Sequence, residues 1–154
     1  MENACKNIDR MIKKATEKDY PAIIQVWEQS VRATHHFLPE DYLQEIKALL
    51  PAILPAVPTY ILQNEEQGID GFLGVADNKI EMLFIHPDKR GQGIGCSLVQ
   101  FAIIELKADK ADVNEQNEQA VGFYRRMGFV ISGRTDTDGR GRPYPLLQMK
   151  LDIK

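Results

Sequence analysis

Hydrophobic positions along the chain switch between two periods, and the switches mark out its elements. Tyr20, Ile23, Ile24, Trp27 and Val31 recur at i, i+3, i+4, i+7 and i+11, one apolar stripe of a helix. Thr16 ahead of them reads as an N-cap, with Asp19 three positions on as an imperfect capping-box partner. Residues 11–15 fit a short first strand. A second helix is expected from about Glu40 to Leu50, ended by Pro51 and Pro55.

The period then shortens. Thr59–Gln63, Ile69–Ala76 and Ile80–Ile85 read as strands, joined by turns at Asn64–Gly68 and Asp77-Asn78. The third is almost continuously apolar, as suits a central strand covered on both faces. Gly91–Gly95 opens a helix that runs to about Lys107. It is apolar around much of its surface and is expected to be well buried. A brief strand, Asp109–Asn114, precedes a helix from Asn117 with the stripe Ala120, Phe123, Tyr124, Met127 and a terminating Gly128. Phe129–Thr135 is a strand and Asp138-Gly139 a turn. In the last strand Leu147, Met149 and Leu151 alternate with polar residues. The order β-α-α-β-β-β-α-β-α-β-β predicts an α/β fold with a mixed sheet, containing one β-hairpin meander and one β-α-β crossover.

Composition narrows the function classes. The chain has 154 residues, enough for a single domain spanning 1–154. At 44% apolar and 27% charged it matches neither a disordered nor a fibrous protein. Its net charge is −3 and it has no Lys/Arg tract, which argues against a dedicated nucleic-acid partner. Its longest apolar stretch, residues 48–57, is broken by two prolines, whereas a membrane span needs about 20 residues. No apolar leader follows Met1. Cys5 and Cys96, the only cysteines, lie far apart and form no C-x-x-C pair. Neither a disulfide framework nor a zinc site is expected, and reduced thiols suit a cytoplasmic protein. His35 and His36 are adjacent, which is not the i, i+4 spacing of a helical metal site.

The segment Arg90-Gly91-Gln92-Gly93-Ile94-Gly95 sits between the most apolar strand and a strong helix. Glycines there let the backbone approach a ligand, and the first N–H groups of the helix have no partner within it. The helix dipole adds about half a positive charge, so an anion such as phosphate is favoured. Cys96 stands where a Walker loop needs lysine and where a dinucleotide fingerprint needs glycine, so neither fits. The spacing is Arg-x-x-Gly-x-Gly; a glycine-rich turn with no ligand is the plain alternative.

A second motif follows, Asn117-x-x-Ala120-x-x-Phe123-Tyr124-x-x-x-Gly128-Phe129. Together the two motifs, in this order and separation, resemble the GNAT family of N-acetyltransferases. The resemblance extends over almost the whole chain, including the element order. Ala33-Thr-His-x-Phe-Leu38, Asn114–Tyr124 and Pro143-Tyr-Pro-Leu-Leu147 are similar to a bacterial subgroup of that family.

The resemblance implies a GNAT-type, mostly antiparallel sheet flanked by helices, with acetyl-coenzyme A (acetyl-CoA) lying between the strands Ile80–Ile85 and Asp109–Asn114. The backbone around Leu83, Phe84 and Ile85 would pair with the cofactor's arm, and the loop from Arg90 to Gly95 would hold its pyrophosphate. Asn117 would contact the arm, and Arg125 or Arg126 a phosphate near the adenosine. Tyr124 corresponds to the general acid, although as a residue it also fits the packing stripe. Glu81 is the expected base, with His35 and His36 as rivals because imidazole titrates near pH 6.5. Cys96 is expected to pack as a small apolar residue rather than act as a nucleophile.

The implied activity is acetyl transfer to a primary amine of a protein or a small molecule, by direct attack in a ternary complex. The other reading is a non-catalytic acyl-CoA-binding module, which would need no Tyr124. His35, Phe37 and Tyr144 are the expected acceptor contacts. The acidic start of the second helix (Glu40, Asp41 and Glu45 against Lys47) is expected to attract a cationic amine. Family members often form homodimers.

Overall fold

The computed structural model describes residues 11–152. Its elements run β1 (Met11–Lys14), α1 (Tyr20–Thr34), α2 (Glu40–Ala56), β2 (Thr59–Gln63), β3 (Ile69–Ala76), β4 (Lys79–Ile85), α3 (Ile94–Glu105), β5 (Lys110–Asn114), α4 (Glu118–Arg126), β6 (Phe129–Thr135) and β7 (Leu146–Leu151). The seven strands form one sheet in the order β1-β2-β3-β4-β5-β7-β6. Every neighbouring pair is antiparallel except β4 and β5, which are parallel. The crossover through α3 makes that parallel pair, because two parallel strands need a long return between them.

Alternation along the strands feeds two cores. Ile61, Phe72, Met82 and Phe84 face α1 and α2, where Ile23, Trp27, Leu43 and Leu54 meet them. Their sequence neighbours Leu62, Leu73 and Leu83 face the other way, against α3 and α4, with Leu98, Val113, Tyr124 and Phe129. The sheet is therefore a middle layer with helices on both sides.

Thr16 and Asp19 form the capping pair at a short 3-10 turn that leads into α1, with Asp19 Oδ2 accepting from the Thr16 N–H at 2.8 Å. The second helix departs from expectation. It does not stop at Leu50 but runs through Pro51 and Pro55 to Ala56. An interior proline costs about 3 kcal/mol, yet the stripe Leu43, Ile46, Leu50, Leu54 keeps its helical period across both prolines. Leu50 and Leu54 are buried, each worth about 1.5–3 kcal/mol, and Ile53 and Val57 pack beside them. Burial outweighs the broken hydrogen bonds. Leu54→Ala is expected to cost about 2–5 kcal/mol in urea unfolding. A cost under about 1 kcal/mol, the range of surface changes, would mean the segment beyond Pro51 is not packed as described.

The third helix is also less enclosed than its composition suggests. Ile94, Leu98, Val99 and Ala102 are buried, but Ile104 is 60% exposed. No helix among the described residues is long and apolar enough to cross a membrane.

Candidate active site

β4 and β5 are paired only at Lys79↔Lys110 and Ile80↔Ala111. A bulge in the β3–β4 register falls at Glu81, since Val75 faces Ile80 while Gly74 faces Met82. From Glu81 onward β4 remains bonded to β3 but has no strand on its other side. β5 meanwhile stays paired to β7 as far as Asn114↔Leu146. The backbone edge of β4 is thus left open toward a gap, and a cavity of about 920 Å³ fills it. An open strand edge is a template for an extended, amide-containing ligand.

At one end of the cavity lies the glycine loop. Gly91 has φ 77° and Gly93 φ 82°, left-handed conformations that disfavour a side chain. Gly93 is the N-cap of α3, so the N–H groups following it begin the helix without intrahelical partners. A Cβ on Gly95 would come within 3.3 Å of Phe123 Cζ, so glycine is also needed there for α3 to approach α4. Lys89, Arg90 and Arg126 line the same end. Unpaired N–H groups and three cations form an anion site, and the open strand edge leads away from it. That arrangement fits a phosphorylated cofactor with an amide-bearing arm. Arg90, Ile94 and Gly93 would hold its phosphates, with Ile94 offering only its N–H because its side chain is buried in the core.

Asn117 lines the cavity as well, but it is also the N-cap of α4: its Oδ1 accepts from the Ala120 N–H at 3.2 Å. Its amide N–H groups remain free to donate to a ligand. Glu81, Leu83, Phe84 and Ile85 are on the wall too. Glu81 is partly exposed, 3.6 Å from Lys79 Nζ. Gln92, Arg125 and Phe37 do not reach the wall. Arg125 and Arg126 follow one another on a helix and project to different sides, so only Arg126 faces the cavity.

Tyr124 is buried, with its ring edge-on to Phe123 and Phe129. It lines the cavity, and its hydroxyl takes no hydrogen-bond partner among the described residues. Burial pushes its phenol well above the usual value, so it keeps its proton. The packing reading holds, and the same residue also lines the cavity.

Cys96 lines the cavity one position beyond the loop and is disulfide-bonded. This corrects the expectation of a reduced thiol packing as a small apolar residue. A disulfide sulfur offers no thiolate, so it serves no nucleophilic route. The chain's other cysteine, Cys5, lies outside the described residues.

At the far end is an aromatic cluster. The His35 ring lies 5.3 Å from Phe37 and 6.4 Å from Phe84, while Tyr144 lies 6.0 Å from Phe37 and stacks on Tyr42 at 5.3 Å. His35, Tyr42 and Tyr144 line the cavity; Phe37 backs them. Tyr42 was not legible as a site residue, because its partner Asp138 is distant in sequence. Its hydroxyl donates a short hydrogen bond to Asp138. Burial, then the Asp138 charge, pushes its phenol up to about 12. The guanidinium of Arg142 lies 4.5 Å over its ring.

The acidic start of α2 does not act as expected. Arg32 makes a two-pronged bond to Glu40 at 2.7 and 2.8 Å and, with Gln44, holds its carboxyl down to about 2. Glu45 is bonded to Arg140 and Arg142. Glu40 and Glu45 are thus paired by arginines the helix sequence does not contain, while Asp41 accepts only from the Tyr42 N–H and Lys47 is paired with Glu28.

An open strand edge, a glycine cradle and a tyrosine in one cavity define a site for a phosphorylated, amide-bearing cofactor. Residues 27–152 match the acetyltransferase (GNAT) domain, and the chain belongs to that family. It is an N-acetyltransferase, and acetyl-CoA is its acetyl donor. It is similar to the peptidyl-lysine N-acetyltransferase YjaB of Salmonella typhimurium, 40% identical over 90% of this chain and 95% of that one. YjaB of Escherichia coli is 39% identical over 90% of this chain and 94% of its own length. The solution structure of apo YjaB from Escherichia coli superposes with a TM-score of 0.87 at 36% identity, covering 96% of this chain and all of that one. The coenzyme A complex of the PaiA N-acetyltransferase from Thermoplasma acidophilum shares the fold at a TM-score of 0.72 and 20% identity, covering 94% of this chain and all of that one.

Proposed function

We propose that this enzyme acetylates lysine side chains of proteins, by direct attack of the lysine amine while the donor is bound. One observation carries the reading: a single cavity joins the glycine loop, the Tyr124 hydroxyl and the aromatic cluster. Donor and acceptor can therefore meet beside one proton donor with no covalent enzyme intermediate. The two relatives named as peptidyl-lysine N-acetyltransferases, similar along nearly all of the chain, support the acceptor class. The rings of Tyr42, Tyr144 and His35 suit a lysine, whose alkyl stem packs on aromatic faces while its amine reaches inward. The same reading places the enzyme in the cytoplasm, where a coenzyme A thioester is held.

When bound, acetyl-CoA supplies a thioester activated for transfer. The chain's residues do the rest. The β4 edge from Leu83 to Ile85 aligns the donor's arm, and the loop at Gly91–Gly95 anchors its phosphates. Tyr124 holds a proton at Oη and donates it where the sulfur gains charge. Glu81 and His35 are the expected acceptors of the proton given up by the amine; of the other carboxylates on the wall, Asp112 is bonded to Lys79 and Asp138 to Tyr42, and Glu118 stands in the first turn of α4.

The test is coenzyme A release with an amine panel: lysine-containing peptides, their acetyl-blocked counterparts, spermidine and free amino acids. Turnover confined to peptides with a free lysine supports the proposal. Faster turnover of spermidine would overturn the acceptor class, and binding of acetyl-CoA without turnover of any amine would favour a sensing module.

A further inference from the structure

His35 sits in the connection between α1 and α2, outside the glycine-loop and Asn117–Phe129 motifs. Its hydrogen bonds decide which of its nitrogens is free. Thr34 Oγ1 lies 2.9 Å from the Ser30 carbonyl oxygen and 2.7 Å from His35 Nδ1. A hydroxyl has one proton. A carbonyl can only accept, so the Thr34 proton goes to Ser30. The second short contact then needs its proton from the ring: Nδ1–H donates to Thr34 Oγ1. The neutral ring is thereby fixed with its lone pair on Nε2, on the side away from Thr34. No hydrogen-bond partner occupies Nε2 among the described residues, and His35 lines the cavity opposite the open segment of β4, against Phe84.

Burial keeps this ring neutral. Desolvation, followed by the charges of Arg90 and His36, holds its pKa down to about 4, so the lone pair is present throughout the neutral range. Glu81 is the weaker competitor on geometry. It stands at the bulge, partly exposed, with Lys79 3.6 Å from its carboxylate and already bonded to Asp112 at 2.9 Å. His35 belongs to the aromatic cluster on the cavity wall, with Tyr42 and Tyr144.

We infer that His35 Nε2 is the catalytic base, oriented by the Thr34–Ser30 relay. This rests on the lysine-acetyltransferase reading of the site. The acceptor nitrogen forms its bond to the acetyl carbon as the carbon–sulfur bond breaks. The nitrogen's proton passes to His35 Nε2, and the sulfur takes the proton of Tyr124. Water then removes the proton from the imidazolium and a proton returns to the phenol, so the balance closes with no other reactant.

The experiment has one arm independent of activity. Long-range 1H–15N spectra of the protein alone should show His35 as the Nδ1–H tautomer, and Thr34→Val should abolish that preference. An Nε2–H tautomer in the wild type overturns the inference. In the kinetic arm, His35→Asn keeps an amide donor for Thr34 but has nothing at the Nε2 position; His35→Gln has an amide there that is no base. Both should melt near the wild-type temperature and bind acetyl-CoA unchanged. With the best amine of the panel above, both should lose about 10²–10⁴ in kcat. Wild-type rates in both variants, or the whole loss appearing in Glu81→Gln alone, overturn the assignment. Failure of every lysine peptide with the wild type would instead overturn the acceptor reading, a result visible before any variant is made.

Discussion

Tyr124→Phe should give a folded protein that binds acetyl-CoA normally and turns over about 10²–10⁴ more slowly, the scale for losing a general acid. The substitution separates two jobs that the residue performs at once. The ring is buried against Phe123 and Phe129 and belongs to the core shared by α3, α4 and the sheet. Phenylalanine preserves that packing, and because the hydroxyl has no partner among the described residues, its removal strands no buried group there. What disappears is the proton held for the sulfur. The measurement is kcat by coenzyme A release, beside the dissociation constant by calorimetry and a thermal melt. An unchanged kcat would show that the thiolate leaves unassisted. A collapsed melting temperature would show that the hydroxyl has a structural role.

Gly93→Val tests the other end of the cavity and should weaken acetyl-CoA binding while the fold survives. Gly93 holds φ at 82°, where a β-branched side chain is a true outlier. Strain of about 1–3 kcal/mol falls on the conformation that presents the N–H groups, equivalent to roughly 5- to 150-fold in affinity if the loop relaxes out of it. Crowding by the valine side chain adds to that. The strain sits at a helix N-cap, outside the core, so the melting temperature should change less than the affinity. Calorimetry giving wild-type affinity in a folded variant would refute the cradle.

Most of the fold was legible because each element has its own period and punctuation. The stripes beginning at Tyr20 and Ala120 became α1 and α4, and the alternation at Leu147 to Leu151 became β7. The error at Pro51 has a clear cause. A proline reads locally as a stop, whereas the burial of Leu50 and Leu54 that overrides it depends on strands distant in sequence. The site divides in the same way. The glycine loop is read from one contiguous segment, since its chemistry is backbone chemistry. The acceptor end is assembled from three segments. Asp138 bonds to Tyr42 across 96 positions and Glu45 bonds to Arg142 across 97, and no local pattern announces such pairs. The Thr34 relay was hidden for a different reason. Its residues are adjacent in sequence, but the direction of a proton depends on the helical carbonyl four residues back.

The two-pair seam between β4 and β5 also divides the sheet into two plates. One plate, β1 to β4, carries the glycine loop at its edge and, through α1, His35. The other, β5 to β7, carries Tyr144 and, through α4, Tyr124. The proposed proton acceptor and the proposed proton donor thus ride on opposite plates and never touch. Their spacing is set by the joint at Ile80 and Ala111 and by the shared core beneath it, both fully enclosed. An ångström of play at such a joint is worth about a hundredfold in rate. Residues of the joint and the core beneath it therefore set the working distance of the active site, and the tolerance of the enzyme is decided in its interior.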